Sequence, residues 1–162
     1  MISPRTDLAG HVYSWAAGAA ADSSGDPKVV VAAATEDNAK VTGKTIDLGT
    51  GLSRPESGVL EVSGIASLDA TETLTIAAEL QESSDGSTWD TAEALYTATT
   101  VATGVTGGST GLQWVKETHV KIKPRKQYIR FNITPNLSRG ATDSAVWSAS
   151  FVGAGMMQLP QS

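Results

Sequence analysis

The sequence predicts an all-β fold: an antiparallel β-sandwich or jelly-roll-like single domain carrying an extended N-terminal arm. Three observations predict it. From Lys40 onward the apolar residues recur with a period of two. Gly, Pro, Ser and Asp punctuate the alternating runs at short intervals. No long segment shows the 3.6-residue period of an amphipathic helix.

Residues 1–38 are Ala-rich and without a clean period, and they are read as the arm. Tyr13 and Trp15 stand in it, and VVVAAA (Val29 to Ala34) is a candidate short strand. The sandwich domain is placed at 39–162. KVTGKTIDLG puts Ile46 and Leu48 on one face. GVLEVSGI is a short strand with Val59, Leu60, Val62 and Ile65. TLTIAAELQE alternates most regularly, with Leu74, Ile76, Ala78 and Leu80 facing one way. The stretch QESSDGSTWD then reads as a turn, because Asp85-Gly86 supplies left-handed geometry and Trp89 opens the next segment.

TAEALYTATTVA (Thr91 to Ala102) fits one helical turn or an irregular strand. TGVTGGSTG is a glycine-rich connection. LQWVKETHVKI aligns Leu112, Trp114, Val120 and Ile122, with Lys116 and Thr118 breaking the stripe. QYIRFNI directs Ile129, Phe131 and Ile133 inward and Tyr128, Arg130 and Asn132 outward. AVWSASFVG directs Ala145, Trp147, Ala149 and Phe151 inward. Six or seven short strands result, the count of a small sandwich or barrel.

With 162 residues the chain is long enough for one core. The absence of cysteine excludes disulfides, thiolate metal sites and thiol nucleophiles. Two histidines, His11 and His119, cannot build a multi-histidine metal site. No apolar run reaches the length of a membrane-spanning helix. Leu8 to Ala21 has some features of a secretory leader, but Asp7, His11 and Ser14 interrupt them. No cofactor is expected.

Charge divides the chain. Residues 1–115 hold 5 Lys or Arg against 15 Asp or Glu, a net of −10; residues 116–162 hold 7 against 2, a net of +5. Such a chain can present complementary faces to copies of itself. The basic hairpin KIKPRKQYIRFNITPNLSR also interleaves Tyr128 and Phe131, as single-strand binders do. Phe131 is in phase with the core and the whole chain is at −5, so nucleic acid is not an expected partner.

Two short motifs fail on context. GGSTG (Gly107 to Gly111) matches a nucleophile elbow, but a strand follows Ser109 where a helix is required. GKT (Gly43 to Thr45) lacks the first glycine of a phosphate loop, since Asn38 stands there. In QESSDGSTWD a helix–loop–helix calcium site starting at Asp85 would need Glu where Tyr96 stands, leaving only an irregular site on Asp85 and Asp90.

The strand ending AELQESSDGSTWD, the glycine-rich connection, and the strand KQYIRFNIT resemble the decoration, or cement, proteins that coat the heads of tailed bacteriophages. The resemblance spans roughly Lys40 to Gly155 and leaves out the arm. It implies a β-sandwich or jelly roll without enzymatic activity, usually a homotrimer, attached to the major capsid protein outside the shell. Its location would be the virion, after assembly in the bacterial cytoplasm. Lys121, Lys123, Arg125, Lys126 and Arg130, with Tyr13 and Trp15 of the arm, are the expected interaction residues. Alternatives are another phage component (tail, fibre or head–tail connector) or a carbohydrate-binding module stacking sugars on Trp89, Trp114 or Trp147.

Overall fold

The computed structural model describes residues 13–15, 28–32, 34–51, 54–138 and 142–154. Ten strands follow one another: β1 (Tyr13–Trp15), β2 (Lys28–Val31), β3 (Val41–Thr42), β4 (Ile46–Asp47), β5 (Ser57–Leu68), β6 (Thr73–Ser83), β7 (Glu93–Thr103), β8 (Ser109–Lys121), β9 (Tyr128–Leu137) and β10 (Ser144–Ala154). Among the described residues there is no α-helix.

The strands form two antiparallel sheets. In the first, β8 pairs β5 and β5 pairs β10. The far side of β10 is shared, with β2 opposite Ser144 to Trp147 and β1 opposite Phe151 to Gly153. In the second sheet β7 pairs β6 and β6 pairs β9, and the far side of β9 is shared by β3 and β4. Counting β1/β2 and β3/β4 as one interrupted strand each, both sheets are four strands wide. The orders are β1/2-β10-β5-β8 and β3/4-β9-β6-β7. This is a jelly roll, two interlocked Greek keys. Among the described strands, and apart from the breaks within β1/2 and β3/4, β6–β7 is the one within-sheet hairpin; the other successive strands alternate between the sheets.

Alternation builds the core. Leu60, Val62, Ala66 and Leu68 of β5 and Ala145, Trp147, Ala149 and Phe151 of β10 point from the first sheet onto Leu74, Ile76, Ala78, Leu80, Ile129, Phe131 and Ile133 of the second, and all are buried. The Phe131 and Phe151 rings meet between the sheets, centroids 5.2 Å apart. Each large apolar side chain buried this way contributes about 1.5–3 kcal/mol. Gly58 makes room for this contact: a Cβ there would lie 2.3 Å from the Phe151 ring.

Two expectations are refined. Thr91 to Ala102 lies almost wholly in β7, an irregular strand whose register against β6 shifts three times. Within the stretch read as an arm, β2 joins the first sheet and sends Val30 into the core.

Connections gather at two ends. Residues 34–40, 69–72, 104–108 and 142–143 meet at one end, where Thr71 N donates to the Gly104 carbonyl and Ala32 N to the Asp143 carbonyl. Residues 48–51, 54–56, 84–92 and 122–127 meet at the other, where Ile122 N donates to the Glu56 carbonyl and Leu48 N to the Gln127 carbonyl.

Candidate functional site

The second end carries most of the predicted interaction residues. Its framework starts with the β6–β7 hairpin. Asp85 Oδ1 accepts from Ser87 N (2.8 Å), Thr88 N (2.7 Å) and the Ser83 hydroxyl (2.8 Å). These donors, the backbone ones foremost, hold the Asp85 carboxyl well below the usual carboxylate range. Gly86 turns the chain at φ 75°, a left-handed value that suits glycine. The loop therefore spends its carboxylate on its own backbone, an Asx turn.

The β8–β9 connection packs beside it. Arg125 donates from Nη1 to Glu82 at 2.8 Å and engages Glu93 with both Nη atoms, while its Nε donates to the Lys121 carbonyl at 3.0 Å. The Arg125 side chain is only 14% exposed. Glu93 and Glu82 raise the Arg125 guanidinium above its ordinary pKa, and Arg125 in turn lowers that of Glu93. Lys126 donates its backbone N–H to Glu82 Oε2 at 2.7 Å, and its ammonium pairs with Asp90. Lys123 pairs with Glu56 on an open surface. Arg54 joins from the β4–β5 connection, one Nη donating to the carbonyls of Ile122, Arg125 and Lys126.

Arg130, one strand in, lays its guanidinium over the Trp89 ring, 4.2 Å from the centroid, and donates from Nε to Gln81 Oε1 at 2.9 Å. Asn132 shares that acceptor through Nδ2 at 3.0 Å. Asn132 stands in the outward register expected for it, yet it is buried beneath these neighbours.

Of the seven predicted residues, Lys121, Lys123, Arg125 and Lys126 are thus brought together and Arg130 lies nearby, but four of these five cations are engaged within the chain. Lys123 and Lys126 pair with acids, Arg125 with two, and Arg130 stacks on Trp89. The arrangement is a charge-neutralised corner that fixes three connections to one another. Tyr13 and Trp15 lie on β1, in register with Gly153 and Phe151, at the same end of β10; their side chains fall outside the described residues.

The candidate sugar platforms are occupied. Trp114 and Trp147 are buried, and Trp89 carries the Arg130 guanidinium on its ring. At the opposite end Ser109 opens β8 after the left-handed Gly107 and Gly108, and its hydroxyl accepts from Val105 N. The depression beside it, about 350 Å³, is lined by Asp69, Thr142, Ser67 and Thr110, with no histidine. Among the described residues no three His, Asp or Glu side chains cluster as metal ligands.

Sequence reasoning passed over the outer face of the first sheet. Six large hydrophobic side chains are exposed among the described residues, and five of them, Val29, Val31, Ile65, Val115 and Val146, lie on that face. Their signal was present: each stands out of phase with the core positions of its own strand.

No protein-family model matches the chain, and no curated protein matches it. Solved structures with a similar arrangement of strands are found. One is the T13 particle of infectious bursal disease virus, at 13% identity and TM-score 0.49, matched over 88% of this chain and 30% of that one. Another is the VP2 subviral particle of the same virus, at 14% identity and TM-score 0.46, over 88% and 32%. A third is the CBM36-1 domain of a multidomain xylanase from the hindgut metagenome of Trinervitermes trinervoides, at 8% identity and TM-score 0.43, over 90% and 98%. The chain spans about a third of the viral chains that it matches. These likenesses extend to architecture and to no individual residue.

Proposed function

We propose that the chain is a non-enzymatic structural component of a tailed-bacteriophage particle, a decoration protein bound to the major capsid protein on the outside of the head. It would be made in the bacterial cytoplasm and carried on the virion. One observation carries this reading. The two segments behind the sequence resemblance, AELQESSDGSTWD and KQYIRFNIT, form a single unit, because β6 and β9 pair from Leu74↔Leu137 to Ser83↔Tyr128. The residues that define each segment meet across that pairing: Gln81 and Trp89 hold Arg130, and Gly86 lies against the Tyr128 ring.

A jelly roll with its charged corner locked suits a passive part that must hold its shape while many copies bind weakly to a repeating shell. Fold alone does not imply this role, since jelly rolls also serve as lectins and enzymes. Immunogold electron microscopy of the encoding phage, using antibody against this chain, tests the reading. Label over heads supports it. Label confined to tails or fibres moves the chain to another virion role, and unlabelled particles overturn the reading.

A further inference from the structure

The outer face of the first sheet is where the chain departs most from an ordinary soluble surface. Cross-strand register lines Val29, Val146, Ile65 and Gln113 into one row over four strands. The next row toward the charged corner is Ser148, Ser63 and Val115, and the row on the other side is Val31, Ser144 and Ser67. None of these ten residues is charged, although the chain carries a net −5. The outward side chains of the second sheet differ: Glu79, Gln81, Arg130 and Thr134 stand there, with Lys40 bonded to Glu79 at 2.6 Å.

The face also has relief. The Ile65–Val146 ridge borders a depression of about 380 Å³ whose floor and walls include Ser63, Gly64, Gln113 and Ser148. Ridge and depression lie side by side, so a rotated copy of the face presents each to the other.

We propose that this face binds the same face of a second copy of the chain. Three arguments favour that occupant. A patch free of charge is where two copies of a net-negative chain meet with least repulsion. The adjacent ridge and depression are self-complementary, as a two-fold contact requires. The extent is adequate once the polar rows are counted: the eleven paired residues of β5, with β10 and β8 beside them, cover roughly 36 Å by 14 Å, β2 widens the face beside Ser144 to Trp147, and the sum is of the order of the ~800 Å² per partner of a standard interface. Glu61, Glu117, His119 and Lys121 occupy the end of the face nearer the charged corner and form its polar rim. The contact gives a pair rather than the trimer implied by the resemblance. It deepens the proposed structural role by naming one partner, and its test needs no particle.

The test is sedimentation equilibrium of the full chain over a wide concentration range, beside Ile65→Lys and Val146→Lys. Both side chains are about half exposed, so both variants should fold, which far-UV circular dichroism and melting temperature verify. The native chain is expected to approach twice the monomer mass. Each variant should weaken the pair by about tenfold or more, because each buries an unpaired cation in it. A monomer at every concentration, a trimer, or a dimer equally strong in both folded variants overturns the proposal. Failure here leaves head labelling untouched, and failure of labelling leaves the dimer untouched.

Discussion

The guanidinium of Arg125 and the carboxylate of Glu82 stand 2.8 Å apart, both largely shielded from water, and they join the β8–β9 connection to the end of β6. Truncating Arg125 to Ala leaves Glu82 with one donor fewer in a half-dry setting. The expected loss is about 2 kcal/mol of unfolding free energy, read as a lower urea midpoint at unchanged m-value. Lys123→Ala should shift the midpoint by less than about 0.5 kcal/mol, because the Lys123–Glu56 pair is exposed. Equal effects of the two variants would contradict this ranking.

Asp85 makes the hairpin sensitive to acid. Its folded pKa lies below the ordinary 3.8, so its stabilising contribution is complete above that value and disappears as pH falls through the lowered one. Asp85→Ala should therefore melt below the native chain near pH 7, and the gap should narrow progressively as the melts are repeated below pH 3.8. A gap independent of pH would mean that the turn does not depend on the charged carboxylate.

Tyr96 shows the opposite sign. Burial pushes its phenol up to about 12, and its hydroxyl finds no partner among the described residues. Its contribution to stability is intact below pH 10, its ordinary value, and is lost as pH rises from there toward 12. At neutral pH Tyr96→Phe removes an unpaired buried hydroxyl and should stabilise the chain by about 1 kcal/mol. A clear loss in denaturant titration would reveal a hydrogen-bond partner for that hydroxyl. The Lys116 ammonium, 5.4 Å from the ring centroid, is retained in the variant.

Gly64 lies between the two buried tryptophans of the first sheet, opposite Trp114 on β8 and Trp147 on β10. A Cβ there would fall 2.3 Å from the Val146 carbonyl oxygen and 2.9 Å from the Trp114 ring. Backbone must move to admit it, so Gly64→Ala is expected to cost about 1–3 kcal/mol. A shift in the near-ultraviolet circular dichroism of the tryptophans should accompany the loss. Gly51, whose surroundings are open, offers a contrast, because any cost of Gly51→Ala must come from its left-handed backbone.

Local alternation was enough to read the long strands. β6, β9 and β10 follow the predicted inward sets because each has one wet and one dry side, and a period of two records that directly. β7 was ambiguous because it is an edge strand with repeated register shifts, so its burial follows no simple period. The pairs β1/β2 and β3/β4 were harder still, being two to four residues long and dependent on β10 and β9, more than 80 residues away. The basic run was visible as composition. Its neutralisation was not, since Glu82, Asp90 and Glu93 reach it only once β6 and β7 have folded against the β8–β9 connection. Each outward valine shows in its own strand only as one apolar position out of phase, and the apolar face exists only when the strands are laid side by side.

The placement of β10 also has a meaning in time. It is the last described strand in the chain, yet in space it sits inside the first sheet, between β5 and β1/β2. Until the ribosome has released the chain through Ala154, β5 has no neighbour on that side, and β1 and β2 have no neighbour at all. Trp147 and Phe151, two of the largest core side chains, arrive with that strand. The jelly roll is therefore expected to close only after synthesis has passed this point, as one late event dominated by sequence-distant pairings. A nascent chain stopped before Ser144 would hold β5 with an open edge, a state in which chaperones or other copies of the chain can compete for it.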